Sequence, residues 1–204
     1  MKVVMTGHTV NTGKAIYDYL IEKGHEVIGC SRRTGYDLYN DSDVNRIVEL
    51  ASGSDLFLNL THIEDRQVEL LDKLYDKVGM MIVFGSVAAE YTQFILHPYA
   101  KQKLKLAERC KHLSTIPGNK ILHMNLTFME DAVSSDVKLE YNTIVNTIDF
   151  WLKNPYIRNI DFEIKLTPYT MNAIQKTFNI PQEVIDFAIS KMCDENRQAF
   201  NAQV

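Results

Sequence analysis

Lys2-Val3-Val4-Met5-Thr6-Gly7-His8-Thr9-Val10-Asn11-Thr12-Gly13 is the stretch on which the fold of this chain turns. A short apolar run, Lys2 to Thr6, ends at Gly7. From Gly13 to Lys23 the residues Ile16, Tyr19 and Leu20 recur at helical spacing, and Gly24 supplies a stop. Strand, glycine turn and helix in that order open a parallel βα unit. Glycines at such a turn permit positive φ and let a phosphate approach the backbone closely. The helix that follows offers unsatisfied N–H groups and a partial positive charge. A nucleoside-triphosphate loop is excluded. Five residues separate Gly7 from Gly13 where four are required, and Ala15 follows Lys14 where a metal-binding hydroxyl is required.

The same alternation continues outward. Glu26–Gly29 reads as a second strand. Asp41–Leu50 reads as a helix, with Asp41, Ser42 and Asp43 offering cap chemistry and Val44, Ile47, Val48 and Leu50 an apolar face. Asp55–Asn59 is a buried strand, residues 63–77 an amphipathic helix, and residues 80–85 the most apolar strand. A helix begins near Pro98, a residue suited to a first turn. Residues 120–126 form a strand, 142–152 a helix, 160–166 a strand, and 181–197 a terminal helix. Repeated strand–helix–strand order implies parallel strands joined by right-handed crossovers. The expectation is an α/β fold, a Rossmann-like doubly wound parallel sheet of about seven strands with helices on both faces. It forms one domain over residues 1–204, with a short substrate-loop region near residues 127–141.

Composition agrees. Apolar residues make up 46% and charged residues 24% of 204 residues, ordinary values for a chain that buries a core. A net charge of -4 gives no electrostatic case for nucleic acid or an anionic membrane surface. No apolar run approaches the roughly 20 residues of a membrane span. Cys30, Cys110 and Cys193 are odd in number and lack metal-ligand spacing. His62 with Glu64 and Asp65 fits no metal motif and reads as a loop leading into a helix. The expectation is a reduced, cytoplasmic protein that binds neither nucleic acid nor membrane; a homo-oligomer is left open.

In a parallel sheet of this kind a dinucleotide binds at the carboxyl ends of the strands, and the end of the second strand selects it. Here the segment is Ile28-Gly29-Cys30-Ser31-Arg32-Arg33, with no acid at the strand end. A carboxylate would grip a ribose 2′-hydroxyl, whereas Arg32 or Arg33 would attract a 2′-phosphate. The reading favours NADP(H) over NAD(H).

Tyr99 and Lys103 stand one helical turn apart on one face. The spacing alone decides nothing, because Tyr19 and Lys23 share it well inside the first helix. Context separates the pairs. Ser86 ends the strand Met81-Ile82-Val83-Phe84-Gly85-Ser86 and precedes Tyr99 by 13 residues. A strand-end Ser, a loop, then Tyr-x-x-x-Lys opening a helix resembles the short-chain dehydrogenase/reductase family. Thr6-Gly7 and Gly13 match that family's TGxxxGxG turn. Asp37-Leu38 resembles its acidic-aliphatic pair at the adenine ring, and Asn59 the start of its Asn-Ala-Gly motif. The resemblance covers roughly residues 2–166 in the correct order.

The resemblance implies an NADP(H)-dependent oxidoreductase that reduces a carbonyl or oxidises an alcohol on a small molecule. Ser86, Tyr99 and Lys103 would be catalytic, with Tyr99 as acid/base. Thr6, Gly7, Asn11, Thr12, Gly13, Ser31, Arg32, Arg33, Asp37, Leu38, Asn59 and Lys103 would bind the cofactor, Lys103 through the nicotinamide ribose. The chemistry suits the residues. A free Tyr with a pKa near ~10 exchanges protons sluggishly at neutral pH, and a neighbouring ammonium favours its phenolate. Ser86 would hydrogen-bond the substrate oxygen.

The chain also departs from the family. Asn11 stands at the usual middle glycine, a position Asn tolerates through left-handed geometry. Leu60-Thr61-His62 replaces Ala-Gly, and Asn125-Leu126-Thr127 replaces the Pro-Gly segment. Only 27 residues separate Asn59 from Ser86, so the helix that usually carries a catalytic Asn is abbreviated and that Asn has no evident counterpart. Phe128–Glu140 reads either as a reduced substrate lid or as a surface loop. Tyr91, Phe94, Ile95 and His97 are either pocket lining or packing. A non-catalytic NADP-binding sensor or interaction protein is the alternative function. An epimerase-like or dehydratase-like relative is disfavoured by the short C-terminal portion.

Overall fold

The computed structural model describes residues 1–92, 97–127, 129, 139–161 and 182–183. Strands β1 (Lys2–Thr6), β2 (Glu26–Cys30), β3 (Leu56–Asn59), β4 (Met80–Ser86), β5 (Ile121–Leu126) and β6 (Asn159–Asp161) alternate with five helices. These are α1 (Asn11–Glu22), α2 (Asp41–Ala51), α3 (Arg66–Leu74), α4 (Pro98–Ser114) and α5 (Tyr141–Lys153). All strand pairs are parallel, in the order β2-β1-β3-β4-β5-β6.

Six strands are present among the described residues, against an expectation of about seven. The chain passes from β2 through the single helix α2 directly to β3, which pairs with β1 on the side away from β2. Among the described residues no strand is added outside β2, so β2 is an edge of the described sheet and only its last residue, Cys30, is buried. The direction of winding reverses between β1 and β3. A crevice opens at the carboxyl ends of the strands at such a switch point.

Residues alternate across each strand, and both faces are apolar. Val4, Phe57, Met81, Val83 and Ile121 face α2, α3 and α4, where they meet Ile47, Leu70, Leu71, Leu106 and Leu113. Val3, Met5, Leu58, Ile82, Phe84, Leu122 and Met124 face α1 and α5, meeting Ile16, Leu20, Ile148 and Trp151. Each such fully buried side chain contributes about 1.5–3 kcal/mol of transfer free energy. Trp151 is wholly buried and its indole N–H donates to the Ile157 carbonyl at 2.9 Å, which fixes the chain between α5 and β6. Across the same face the Tyr19 hydroxyl donates to Asp149 at 2.7 Å and links α1 to α5.

Helix starts differ from expectation in detail. Asn40, not the acids after it, caps α2 by accepting from the Ser42 amide at 3.0 Å; Asp41 and Asp43 instead complement the dipole in the first turn. Helix α4 begins at Pro98, and the His97 imidazole caps it by accepting from the Tyr99 amide at 3.2 Å. Expected elements at residues 162–166 and 184–197 lie outside the described residues, as do Phe94, Ile95 and most of the 127–141 segment. No helix among the described residues is long and apolar enough to cross a membrane.

Candidate active site at the strand switch point

The turn after β1 is built for close approach. Gly7 has φ +76° and Asn11 φ +49°, both left-handed. A Cβ on Gly7 would meet the Thr61 hydroxyl at 2.8 Å. A Cβ on Gly13 would overlap the Gly7 carbonyl oxygen and lie 2.7 Å from its carbon. Only glycine at position 13 lets α1 pack down on the turn and bring its N-terminus to the crevice. The α1 cap residue, Val10, makes no side-chain cap, and no acid stands in the first turn. The donors and positive dipole end of α1 are therefore available to an anion. Thr6 is fully buried and accepts from the Leu60 and Thr61 amides, both at 3.1 Å, which ties β1 to the segment after β3.

Ser86 ends β4 on the opposite wall. Its hydroxyl oxygen accepts from the Ala88 amide at 3.2 Å and is hydrogen-bonded to the Tyr99 hydroxyl. Burial pushes the Tyr99 phenol up, and the Ser86 bond pulls it back in part, so Tyr99 is held as the protonated phenol at neutral pH. The Lys103 ammonium sits 5.6 Å from the centre of the Tyr99 ring. It is 3% exposed and donates to the Gln67 carboxamide oxygen at 2.6 Å and to the Phe84 carbonyl at 2.8 Å. Burial brings its pKa down to about 7. The sequence reading expected Lys103 to draw Tyr99 toward the phenolate. Here burial is the largest influence on the phenol and raises its pKa, and only the Ser86 hydrogen bond acts against it.

One crevice of about 380 Å³ joins these parts. Gly7, Asn11, Thr12 and Gly13 line one side; Ser86, Tyr99 and Lys103 line the other, with Leu126, Thr127 and Met129 at the rim. The remaining expected cofactor residues, Thr6, Ser31, Arg32, Arg33, Asp37, Leu38 and Asn59, are not part of its lining. Ser31, Arg32 and Arg33 follow β2, whose last residue Cys30 is in register with Thr6, so they emerge on the same sheet edge as the phosphate turn. Both arginines are exposed, and neither forms an ion pair among the described residues. Asp37 uses its carboxylate to accept from the Tyr39 amide at 3.1 Å, and Leu38 is buried in the core. Asn59 is fully buried below the crevice, where its amide donates to the Gln67 carbonyl at 2.8 Å.

Two residues escaped the sequence reading. His62 lines the crevice, packs edge-on against the Tyr99 ring at 4.7 Å and shares a 2.9 Å hydrogen bond with Gln102. Gln67 is 2% exposed and reaches Asn59, Phe84 and Lys103. Its signal was present: Gln67 falls on the helical stripe of Leu70, Leu71 and Leu74, the buried face of α3. Asp65 pairs with Lys105 at 2.6 Å, so the His62–Asp65 segment braces α4.

The glycine turn and the α1 N-terminus without a side-chain cap are an arrangement that can receive an anion. No protein-family model and no curated protein sequence matches the chain. Solved structures do match in shape. The protein lin1944 from Listeria innocua superposes with a TM-score of 0.65 at 15% identity, over 80% of this chain and 99% of that one. The 3-ketoacyl-(acyl-carrier-protein) reductase of Brucella melitensis, complexed with NADH, gives 0.63 at 14% identity, over 78% and 95%. The 3-alpha-hydroxysteroid dehydrogenase of Pseudomonas sp. B-0831, also complexed with NADH, gives 0.60 at 15%, over 87% and 99%. With the glycine turn, the parallel sheet and the Ser–Tyr–Lys wall all in the same order, this chain has the fold of the short-chain dehydrogenase/reductases, in a shortened form.

Proposed function

We propose that this protein is an NADP(H)-dependent oxidoreductase that interconverts a carbonyl and an alcohol on a small molecule. The observation that carries the reading is the single crevice lined on one side by the phosphate turn and on the other by Ser86, Tyr99 and Lys103. The amides at the start of α1 would hold the pyrophosphate, and Lys103 the nicotinamide ribose. Arg32 and Arg33, with Ser31, would hold the 2′-phosphate, which is the basis for preferring NADP(H). The bound dinucleotide supplies the hydride.

The substrate carbonyl oxygen is received between the Ser86 and Tyr99 hydroxyls. As hydride reaches the carbonyl carbon, the Tyr99 O–H bond breaks and its proton goes to the oxygen, giving the alcohol and a Tyr99 phenolate. Ser86 stabilises the charge developing on the substrate oxygen. Lys103 stabilises the phenolate, which then takes a proton from solvent. A phenol held protonated by burial is the form that carbonyl reduction requires.

Fluorescence titration with NADPH and NADH, on the wild type and on Arg32→Ala/Arg33→Ala, tests the cofactor. Tight NADPH binding that collapses in the double variant supports the reading; binding of neither nucleotide overturns it. A carbonyl screen with Tyr99→Phe as control then separates an enzyme from an NADP-binding sensor, which would bind NADPH without Tyr99-dependent turnover.

A further inference from the structure

We propose that Gln67 is a positioning residue of the site: its buried carboxamide clamps the Lys103 ammonium so that a defined N–H remains for the bound nucleotide. The proposal deepens the function proposed above and rests on it for the identity of that nucleotide.

The orientation of the network is dictated by chemistry, although the Asn59 Oδ1 atom at its edge has no partner among the described residues. An ammonium only donates, and a peptide carbonyl only accepts. The Gln67 atom facing Lys103 must therefore be Oε1, at 2.6 Å. The atom facing the carbonyls of Asn59, at 2.8 Å, and Phe84, at 3.2 Å, must be Nε2. Phe84 O accepts from Gln67 and from Lys103 together. Asn59 closes the ring by donating to the Gln67 main-chain carbonyl. One side chain thus joins the carboxyl ends of β3 and β4 to the lysine on α4. Two of the three Lys103 donors are committed, which leaves one N–H on a residue that lines the crevice.

A leucine at position 67 would pack on the Leu70–Leu74 stripe as well as glutamine does. It would leave the Asn59 carbonyl without the carboxamide donor and Lys103 without the carboxamide acceptor, and the second loss is the one the lysine reports. Both partners of the ammonium are neutral, and the titratable groups facing it are Tyr99 on α4, Cys110 about two turns further along α4, and His62 after β3. Among the described residues no carboxylate is bonded to Lys103, so the acceptor at position 67 governs how well the buried charge is held. Glutamate there would favour the ammonium, and leucine would withdraw an acceptor from it.

The test reads the lysine directly, without nucleotide. The full chain is labelled at lysine Cε, and the Lys103 signal is assigned by its loss in Lys103→Met and followed by NMR as pH is varied. Gln67→Glu is expected to raise the Lys103 midpoint and Gln67→Leu to lower it, each by about one pH unit. NADPH affinity at pH above the midpoint should improve in the first variant and fall in the second. Should Gln67→Leu fail to fold, Gln67→Glu against the wild type decides alone. A midpoint unchanged in Gln67→Glu overturns the proposal, even if NADPH binds tightly. Failure of every variant and the wild type to bind NADPH, with the midpoints moving as expected, keeps the clamp and overturns the cofactor reading instead.

Discussion

Gly13→Ala separates local helix propensity from tertiary packing. Gly13 lies inside α1, where alanine is favoured over glycine by about 1 kcal/mol. Judged on the helix alone the substitution stabilises. The packing reverses the sign. The new Cβ would overlap the Gly7 carbonyl oxygen and stand 2.7 Å from its carbon and 3.3 Å from the His8 Cα, where ordinary contact begins at 3.4 Å. Clearing the carbonyl carbon alone requires a shift of about 0.7 Å, and the oxygen demands more. The obstacle is backbone, so no rotamer change relieves it. Overpacking of this kind costs about 1–3 kcal/mol or more. Set against the propensity gain, the net loss reaches about 2 kcal/mol or more, a fall of up to roughly 8 °C in Tm for a chain of this size. Because α1 must retreat from the turn, nucleotide affinity should drop more than stability does. Circular-dichroism melts and NADPH titration of the same preparation check both. A variant that melts higher than the wild type and binds NADPH equally well would refute the argument that Gly13 exists for close approach.

Lys103 gives a pH signature. Its folded pKa of about 7 lies below the ordinary lysine value of 10.5, so between those values the unfolded chain binds more protons than the native one. Stability from this group therefore rises with pH from about 7 upward and is at its minimum below about 7. Chemical denaturation across that window should show a gain that Lys103→Met lacks; parallel curves would contradict the buried charge. Thr6→Val leaves the Leu60 and Thr61 amides without their acceptor and should cost about 1–3 kcal/mol, read as a lowered urea midpoint at unchanged m. Trp151→Ala empties the core between α1 and α5 and should cost about 3–5 kcal/mol, followed by circular dichroism because Trp151 is the chain's single tryptophan. Ser86→Ala removes the bond that offsets burial of Tyr99; the Tyr99 pKa should rise further and reductase turnover should fall, and an unchanged pH–rate profile would count against the pairing.

Much of the site was legible because it depends on short-range order. The glycines at 7 and 13, the asparagine between them, and the spacing from Ser86 to Tyr99 and Lys103 are local patterns with local causes: left-handed φ, helix approach, and one turn of α4. The alternation of apolar strands and periodic helices likewise set the fold class, because a strand covered on both faces must be apolar throughout. The number of strands was less accessible. Whether α2 is followed by a further edge strand or returns straight to the centre depends on which partner β3 finds, and β1 lies more than 50 residues away from it.

Protonation and hydrogen-bond partners belong to the tertiary structure. The sequence placed Tyr99 beside Lys103 on one helical face, but the ammonium turns instead to the Phe84 carbonyl and to Gln67, 36 residues earlier in the chain. Gln67 joins the site only because β3, β4 and α4 enclose it. His62 looked like part of a loop until α4 brought Tyr99 and Gln102 against it. The chain by itself determined the βα alternation, the phosphate turn and the order of Ser86, Tyr99 and Lys103, since each arises from backbone geometry over a few residues. Tertiary structure alone decided which groups are desolvated and what they bond to, because burial and long-range pairing exist only once the sheet has assembled.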